Sequence, residues 1–220
     1  MTGEYTMVNV IGLGYIGLPT ALIMAANGVD VVGTDYNREL INTLDSNKVT
    51  FDEAGLSELF INARRGGIRF SVEYEKAEIY IVAVPTPYEK ASKKIDYKYV
   101  VSAIESILNV CDEGVTIVIE STISPGTIDR FVRPVVESSR KKINLAHAPE
   151  RIIPGNMIFE LKNNSRTIGA DNKFVGEKIR NLYKSFCGGE IVITDIRTAE
   201  MSKVIENTFR DINIAFANEL

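Results

Sequence analysis

Short β-branched apolar runs recur along the chain, separated by segments whose apolar positions return every three or four residues. The runs at 8–11, 29–35, 68–70, 79–84, 116–120, 143–146, 167–169 and 191–194 predict strands, and the segments 16–27, 37–47, 55–65, 98–108, 126–140 and 171–186 predict helices. IYIVAV (79–84) and VTIVIE (115–120) are apolar on both faces, as strands are when helices cover both sides of a parallel sheet. The alternation predicts an α/β domain built on a doubly wound parallel sheet.

The last segment differs in kind. From Arg197 to Leu220 there is no Gly or Pro, and Met201, Val204, Ile205, Thr208, Ile212, Ala215 and Phe216 fall on one stripe of a long helix. Asp195 or Thr198 is placed to cap it, and Glu200 suits its first turn. Its far end carries no stop signal, so the expected organisation is one domain over 1–196 and, over 197–220, the start of a long helix in a fragment of a longer protein. YEKASKKID (88–96) has no sustained apolar period and reads as an exposed loop, either a lid or a solvated connection.

Composition narrows the partner. With 25 Lys+Arg against 29 Asp+Glu, the net charge of -4 recommends neither nucleic acid nor an anionic membrane. Two cysteines and one histidine, Cys111, Cys187 and His147, supply neither a disulfide framework nor a soft-metal site, so no metal is expected. The N-terminus lacks the basic region of a signal peptide, and no run reaches the roughly 18–20 apolar residues of a membrane helix. A soluble protein of a reducing cytoplasm, acting on a small molecule, is the expectation.

Gly12-Leu13-Gly14-Tyr15-Ile16-Gly17 follows the first strand and opens the first helix. Dinucleotide binding needs these glycines for a tight turn, for backbone approach to a pyrophosphate and for close helix packing, with the helix N-terminus facing the phosphates. Asp35, 18 residues after Gly17, ends the second strand, where a carboxylate accepts ribose hydroxyls and repels the extra phosphate of NADP. A Rossmann-like domain binding NAD is the reading, with Gly12, Gly14, Tyr15, Ile16, Gly17 and Asp35 at the cofactor.

Other strand ends carry weaker signals. Pro85 and Thr86 of VPTP form either a cofactor contact or a proline-stiffened loop. Glu120-Ser121-Thr122 offers hydroxyls for a substrate or water, with Thr122 also expected at the cofactor, or ordinary turn and cap residues. Glu150 and Arg151 stand together in a proline-bounded loop, as functional groups or as a surface pair, and neighbouring His147 reads as a packing residue. Lys203, Asn207 and Arg210 make a polar stripe on the last helix, either a solvated face or groups placed to stabilise an alkoxide.

Taken together, GLGYIGLPTA, VPTP, ESTISPGT, APERIIPGN, SRTIGA and AEMSKVIENTFRDINIAFANEL closely resemble the UDP-sugar 6-dehydrogenase family, also described as the UDP-glucose/GDP-mannose dehydrogenase family. The resemblance covers essentially the whole chain. APERIIPGN and ENTFRDINIAFANEL are most similar to the branch acting on UDP-N-acetylmannosamine. Pro154, four residues after Glu150, stands where the UDP-glucose branch has a second glutamate.

The resemblance implies a four-electron oxidation of a sugar C6 alcohol with two NAD+, through a cysteine thiohemiacetal and thioester, on the way to cell-surface polysaccharide. It implies that Lys203 stabilises the oxyanion, that Asn207 and Thr122 orient water, and that Glu150 serves acid/base steps. Glu150, Arg151, Lys203, Asn207 and Arg210 would contact the UDP-N-acetyl hexosamine. It also implies a homodimer through the 197–220 helix. The family's nucleophilic cysteine and UDP-binding domain lie beyond these residues. Cys111 and Cys187 are expected to be structural, on connections at the far edge from the crevice, so the fragment is expected to bind NAD without turnover. The competing expectations are a UDP-N-acetylglucosamine 6-dehydrogenase, a two-electron hydroxyacid or 6-phosphogluconate-type dehydrogenase, and a non-catalytic dinucleotide-binding module.

Overall fold

The computed structural model describes residues 7–91 and 93–220. In chain order the strands are β1 (Val8–Ile11), β2 (Val31–Thr34), β3 (Arg69–Ser71), β4 (Ile79–Val82), β5 (Tyr88–Glu89), β6 (Lys94–Ile95), β7 (Thr116–Ile119), β8 (Asn144–His147), β9 (Arg166–Ala170) and β10 (Ile191–Thr194). The α-helices are α1 (Gly17–Ala26), α2 (Arg38–Asp45), α3 (Leu56–Arg65), α4 (Lys98–Val110), α5 (Arg133–Ser138), α6 (Met157–Asn163), α7 (Lys173–Tyr183) and α8 (Ile196–Glu219).

Eight strands form one sheet in the order β10-β9-β8-β7-β4-β1-β2-β3. Its central strands β1, β2, β4 and β7 are buried at every residue. Alternation then divides the core: Ile79 and Ile81 of β4 join Leu18, Leu22 and Phe60 on one face, while Tyr80 and Val82 join Ile104, Ile107 and Val132 on the other. Each such side chain contributes roughly 1.5–3 kcal/mol on burial, which is why helices sandwich the sheet. Chain order reverses between β1 and β4, and there the carboxyl ends of the strands part to leave a crevice.

The expected doubly wound sheet is therefore present and mostly parallel, with one antiparallel seam. His147 of β8 pairs with Gly169 of β9, and Ala146 with Ala170, in antiparallel register. Because β10 runs parallel to β9, both strands start at the crevice end of the sheet and finish at the opposite end. The seam follows from α6, which at seven residues is too short to carry the chain back along the sheet. α6 lies outside the predicted helices because its cap is remote. Glu53 accepts the backbone amides of Gly155 (2.7 Å) and Met157 (2.9 Å) from about a hundred residues away.

Two other segments differ from expectation. The 88–96 stretch is no plain loop: Tyr88 pairs with Ile95 and Glu89 with Lys94 in a small exposed hairpin. The predicted helix 126–140 is a π-helical turn, Ile128–Val132, running into α5. Pro134 has no N–H to give back and crowds the preceding turn, which the wider π turn accommodates.

α8 begins at the sheet end opposite the crevice. Asp195 caps it, accepting the Thr198 amide at 2.9 Å. The helix rises against β9 and β8. A Cβ on Gly169 would fall 2.6 Å from the Ile196 Cα, so glycine is what lets strand and helix approach. Seven residues of rise, roughly 1.5 Å each, bring Lys203 to the level of the crevice.

Candidate active site

The crevice is a cleft of about 520 Å³ at the carboxyl ends of the strands. Its first wall is the glycine turn. Gly12 has φ +89°, and a Cβ there would meet the Ala83 carbonyl oxygen at 2.8 Å. A Cβ on Gly17 would lie 1.8 Å from the Gly12 oxygen, so α1 starts against the turn only because Gly17 has none. Gly17 itself is buried beneath the cleft. At Gly14 nothing lies within 4 Å of a Cβ position. This open space, before the α1 N-terminus, suits a pyrophosphate. Tyr15 and Ile16 line the cleft, and Tyr15 stacks on Phe51 with ring centroids 4.3 Å apart, bracing the turn.

Asp35 at the end of β2 accepts the backbone amides of Leu13 and Asn37, each at 2.9 Å. Each carboxylate oxygen keeps a lone pair for a ribose hydroxyl, whereas a phosphate on the 2′ position would meet negative charge. A second cavity of about 320 Å³ shares Gly12, Asp35, Tyr36 and Pro85 with the first and is walled by Tyr74 and Tyr99. Its aromatic walls suit the flat base of a dinucleotide. Opening, carboxylate and slot together fit the cofactor.

Pro85, Thr86 and Thr122 line the floor of the cleft. The Thr86 hydroxyl donates to the Thr122 carbonyl at 2.8 Å, and the Ser121 hydroxyl donates to the Val84 carbonyl at 2.7 Å. These bonds tie the loops after β4 and β7 into one surface.

The opposite wall carries Glu150, Lys203, Asn207 and Arg210. The polar stripe of α8 thus faces the cleft. Glu150 is buried, ion-paired with Arg166, and accepts the Arg151 amide at 2.6 Å. Burial lowers Lys203 from the ordinary lysine value; Glu150 and Glu206 oppose that shift, and Arg210 and Arg151 add to it.

One expected site residue, Arg151, and one cysteine expected to be structural, Cys187, are placed differently from expectation. Arg151 does not line the cleft: its guanidinium is engaged by Glu206 on α8 and by Ser165. Cys187 is not at the far edge, because antiparallel β10 is entered from the crevice end; it is buried and donates to the Asn164 carbonyl. Cys111 follows α4 at the far edge as expected, also buried. Neither thiol lines the cleft. His147 is a packing residue, fully buried with Nδ1 2.8 Å from the Ile119 carbonyl, and burial lowers it to about 4.

The structure adds residues that the sequence did not single out. Tyr36 and Asn37, following Asp35, extend the cofactor wall, while Glu120, named from the sequence beside Ser121 and Thr122, lines the floor. Arg166 reaches Glu150 only through the antiparallel seam, which places the first residue of β9 at the crevice. An arginine heading an otherwise apolar run was the available signal. No cluster of His, Cys, Asp or Glu able to hold a metal occurs among the described residues, and no helix among them is long and apolar enough to cross a membrane.

Known proteins share this sequence and fold. A UDP-N-acetyl-D-mannosamine dehydrogenase of Methanococcus maripaludis is 46% identical over 225 residues, 99% of this chain and 51% of that protein. The Escherichia coli K12 protein of the same name is 38% identical over 99% of this chain and 54% of its own length. The native structure of the UDP-N-acetyl-mannosamine dehydrogenase Cap5O from Staphylococcus aureus superposes with a TM-score of 0.90 at 43% identity, covering 97% of this chain and 53% of that one. The chain spans about half the length of the curated relatives it matches. Residues 6–187 match the NAD binding domain, and residues 197–220 the central domain, of one family. The chain belongs to the UDP-glucose/GDP-mannose dehydrogenase family, of which it carries the NAD-binding domain and the beginning of the central domain.

Proposed function

We propose that the full-length protein oxidises the C6 hydroxyl of UDP-N-acetylmannosamine to the carboxylate, consuming two NAD+ and one water per sugar. One observation carries this reading: Lys203, Asn207 and Glu150 share a single cleft with Gly14 and Asp35. An alcohol carbon held at Lys203 is then in the same enclosure as the dinucleotide. NAD, when bound, supplies the hydride acceptor.

The nucleophilic cysteine that the family resemblance places beyond these residues would carry the acyl group, and this chain's own groups act around it. The Lys203 ammonium, half-buried on α8, donates to the alcohol oxygen as negative charge develops there. Asn207, one turn on, and Thr122 on the floor orient a water by hydrogen bonds. Glu150 takes the proton of that water as the carbon–sulfur bond of the thioester breaks, and returns it to the departing thiolate of that cysteine. Arg210, further out on the same face, meets the anionic part of the substrate. The names of the relatives supply the sugar.

The exposed faces of Met201, Ile205, Phe209, Ile212 and Phe216 on α8 support a homodimer through that helix. Two free, buried cysteines fit a reducing cytoplasm. The test is NADH formed per sugar by the full-length protein, with UDP-N-acetylglucosamine and UDP-glucose alongside. Two NADH per sugar with the mannosamine substrate preferred is the expected result; one NADH per turnover, or no NADH from any UDP-sugar, refutes the reading.

A further inference from the structure

Behind Glu150 lies a charge cluster that the proposed chemistry does not use. Arg166 at the start of β9, Glu120 after β7 and Glu150 after β8 are all buried, with side chains at most 4% exposed. One guanidinium serves two carboxylates: it pairs with Glu150 and stands 3.8 Å from Glu120 Oε1. Its orientation is set by stacking, with Arg166 Cζ 4.6 Å from the Tyr183 ring centroid and 5.4 Å from that of Phe186. The Tyr183 hydroxyl donates to Glu120 Oε1 at 2.9 Å, while Glu120 Oε2 has no hydrogen-bond partner among the described residues. Two ionised carboxylates would leave one more negative charge than this cation pairs, and a buried unpaired charge is strongly unfavourable.

We propose that Arg166 and Glu120 are positioning residues for Glu150: Arg166 is divided between the two carboxylates, and the ionisation of Glu120 governs how firmly Glu150 is held at the cleft wall. With Glu120 protonated, the guanidinium belongs to Glu150 and fixes it toward the cleft. With Glu120 ionised, the cation is shared and that hold loosens. This deepens the proposed function and rests on it, since it presumes that Glu150 handles a proton there.

Every element packed around Glu120 enters the balance: Arg166 from β9, Tyr183 from α7, Thr20 from α1 and Glu150 from the segment after β8. Lys203 faces Glu150 from α8. Burial pushes Glu120 up to about 7; Arg166 opposes the rise, Glu150 adds to it, and Tyr183 and Thr20 oppose it. The cluster is therefore poised near neutrality.

The experiment has two arms on the full-length protein. In the first, kcat is followed from pH 5.5 to 9 with Glu120→Gln, Arg166→Gln and Arg166→Lys. Wild type is expected to show an ionisation near pH 7 that Glu120→Gln lacks. Arg166→Gln is expected to lower kcat at least ten-fold, with partial recovery in Arg166→Lys. An unchanged ionisation in Glu120→Gln overturns the proposal. The second arm needs no turnover and uses carbon NMR of protein labelled at the glutamate carboxyls. A resonance titrating near pH 7 is expected to vanish in Glu120→Gln and to move to lower pH in Glu150→Gln, where the like charge is gone and Arg166 is undivided. If it stays in place in Glu150→Gln, the two carboxylates do not share the cation and the proposal fails. Should Glu120→Gln not fold, Tyr183→Phe replaces it: losing the phenol donor is expected to move the resonance to higher pH, and an unmoved one overturns the assignment. Absence of NADH from every UDP-sugar would refute the functional reading, and the NMR arm would still decide the coupling.

Discussion

The carboxylate of Glu200 accepts the backbone amide of Ile128 at 3.0 Å, and its other oxygen accepts that of Gly126. Glu200 is fully buried and lies one turn before Lys203 on α8, while Gly126 and Ile128 follow the loop that carries Thr122. One side chain thus sets the rotation of the helix against the floor of the cleft. Glu200→Ala leaves buried amides without acceptors, which costs roughly 1–3 kcal/mol, and frees α8 to shift Lys203. The expected outcome is a lower urea midpoint and a lower kcat in the full-length protein, with NAD affinity nearly unchanged by calorimetry. An equal loss of NAD affinity would show that Glu200 supports the whole domain and not the helix alone.

The glycine turn separates a packing role from a binding role. A Cβ at Gly17 overlaps the Gly12 carbonyl at 1.8 Å, whereas one at Gly14 meets nothing within 4 Å. Gly17→Ala should therefore destabilise the fold by several kcal/mol, at the upper end of core overpacking. Gly14→Ala should leave the melting temperature within about 1–2 °C and weaken NAD binding about ten-fold or more, because its methyl group fills the space a pyrophosphate needs. Thermal melts with and without NAD distinguish the two. Unimpaired NAD binding in Gly14→Ala would place the phosphates elsewhere.

Asp35 has two tasks, since its oxygens hold the Leu13 and Asn37 amides as well as facing the cofactor wall. Asp35→Asn keeps one acceptor oxygen but removes the charge. Preference for NAD over NADP should narrow by about ten-fold or more, mostly through weaker NAD binding, as a charge-assisted bond becomes a neutral one. Fluorescence titration with both dinucleotides measures it; an unchanged preference would mean that the ribose does not sit at Asp35.

Much of this cleft was legible because its signals are local. GLGYIG, the Asp35 strand end and the Lys203, Asn207 and Arg210 stripe each declare themselves within a few residues, since turn geometry and helical period act over that range. What escaped reading is held by contacts distant in sequence. α6 is capped by Glu53, and Arg166 reaches Glu150 only because β9 reverses direction. The same reversal overturns the expected position of Cys187 while leaving that of Cys111 intact. Arg151, adjacent to Glu150, shares its loop but not its direction, and Glu206 holds it outside the cleft.

His147 makes acid stability a readable quantity. Burial lowers it from 6.5 to about 4, so between those values the unfolded chain binds a proton that the folded one refuses. Its contribution is present above pH 6.5 and is lost as pH falls toward 4. Glu120, raised from 4.5 to about 7, has the opposite sign, its contribution being lost as pH rises through 7. Glu120 is common to wild type and His147→Gln, so the difference between the two isolates the histidine. From pH 7.5 to 5 the stability of wild type relative to His147→Gln should fall by about 2 kcal/mol, at 1.36 kcal/mol per pH unit below 6.5. Urea unfolding at both pH values gives the number, and a constant difference would show that His147 is not held neutral.

Lys203 stands in the cleft wall with Glu150, at the point where the last helix meets the strand ends. In the proposed reaction an ammonium there gains catalytic value from burial, because fewer waters would compete with the developing alkoxide and the donor is already in place. Burial also lowers the lysine, and Glu150 and Glu206 counter that and favour its charge. Lys203→Met keeps the apolar stem and removes the donor, so kcat of the full-length protein should fall by about 10²–10³, the range for losing one preorganised donor. NAD affinity should change little, since Lys203 stands on the cleft wall opposite the glycine turn. Lys203→Arg restores the charge but spreads it over a planar fork too large for a point contact, so it should recover only a small part of the rate. Full activity in Lys203→Met would leave Asn207 and Arg210 as the donors to examine, and would return the ammonium to the role of an ordinary partner for Glu150.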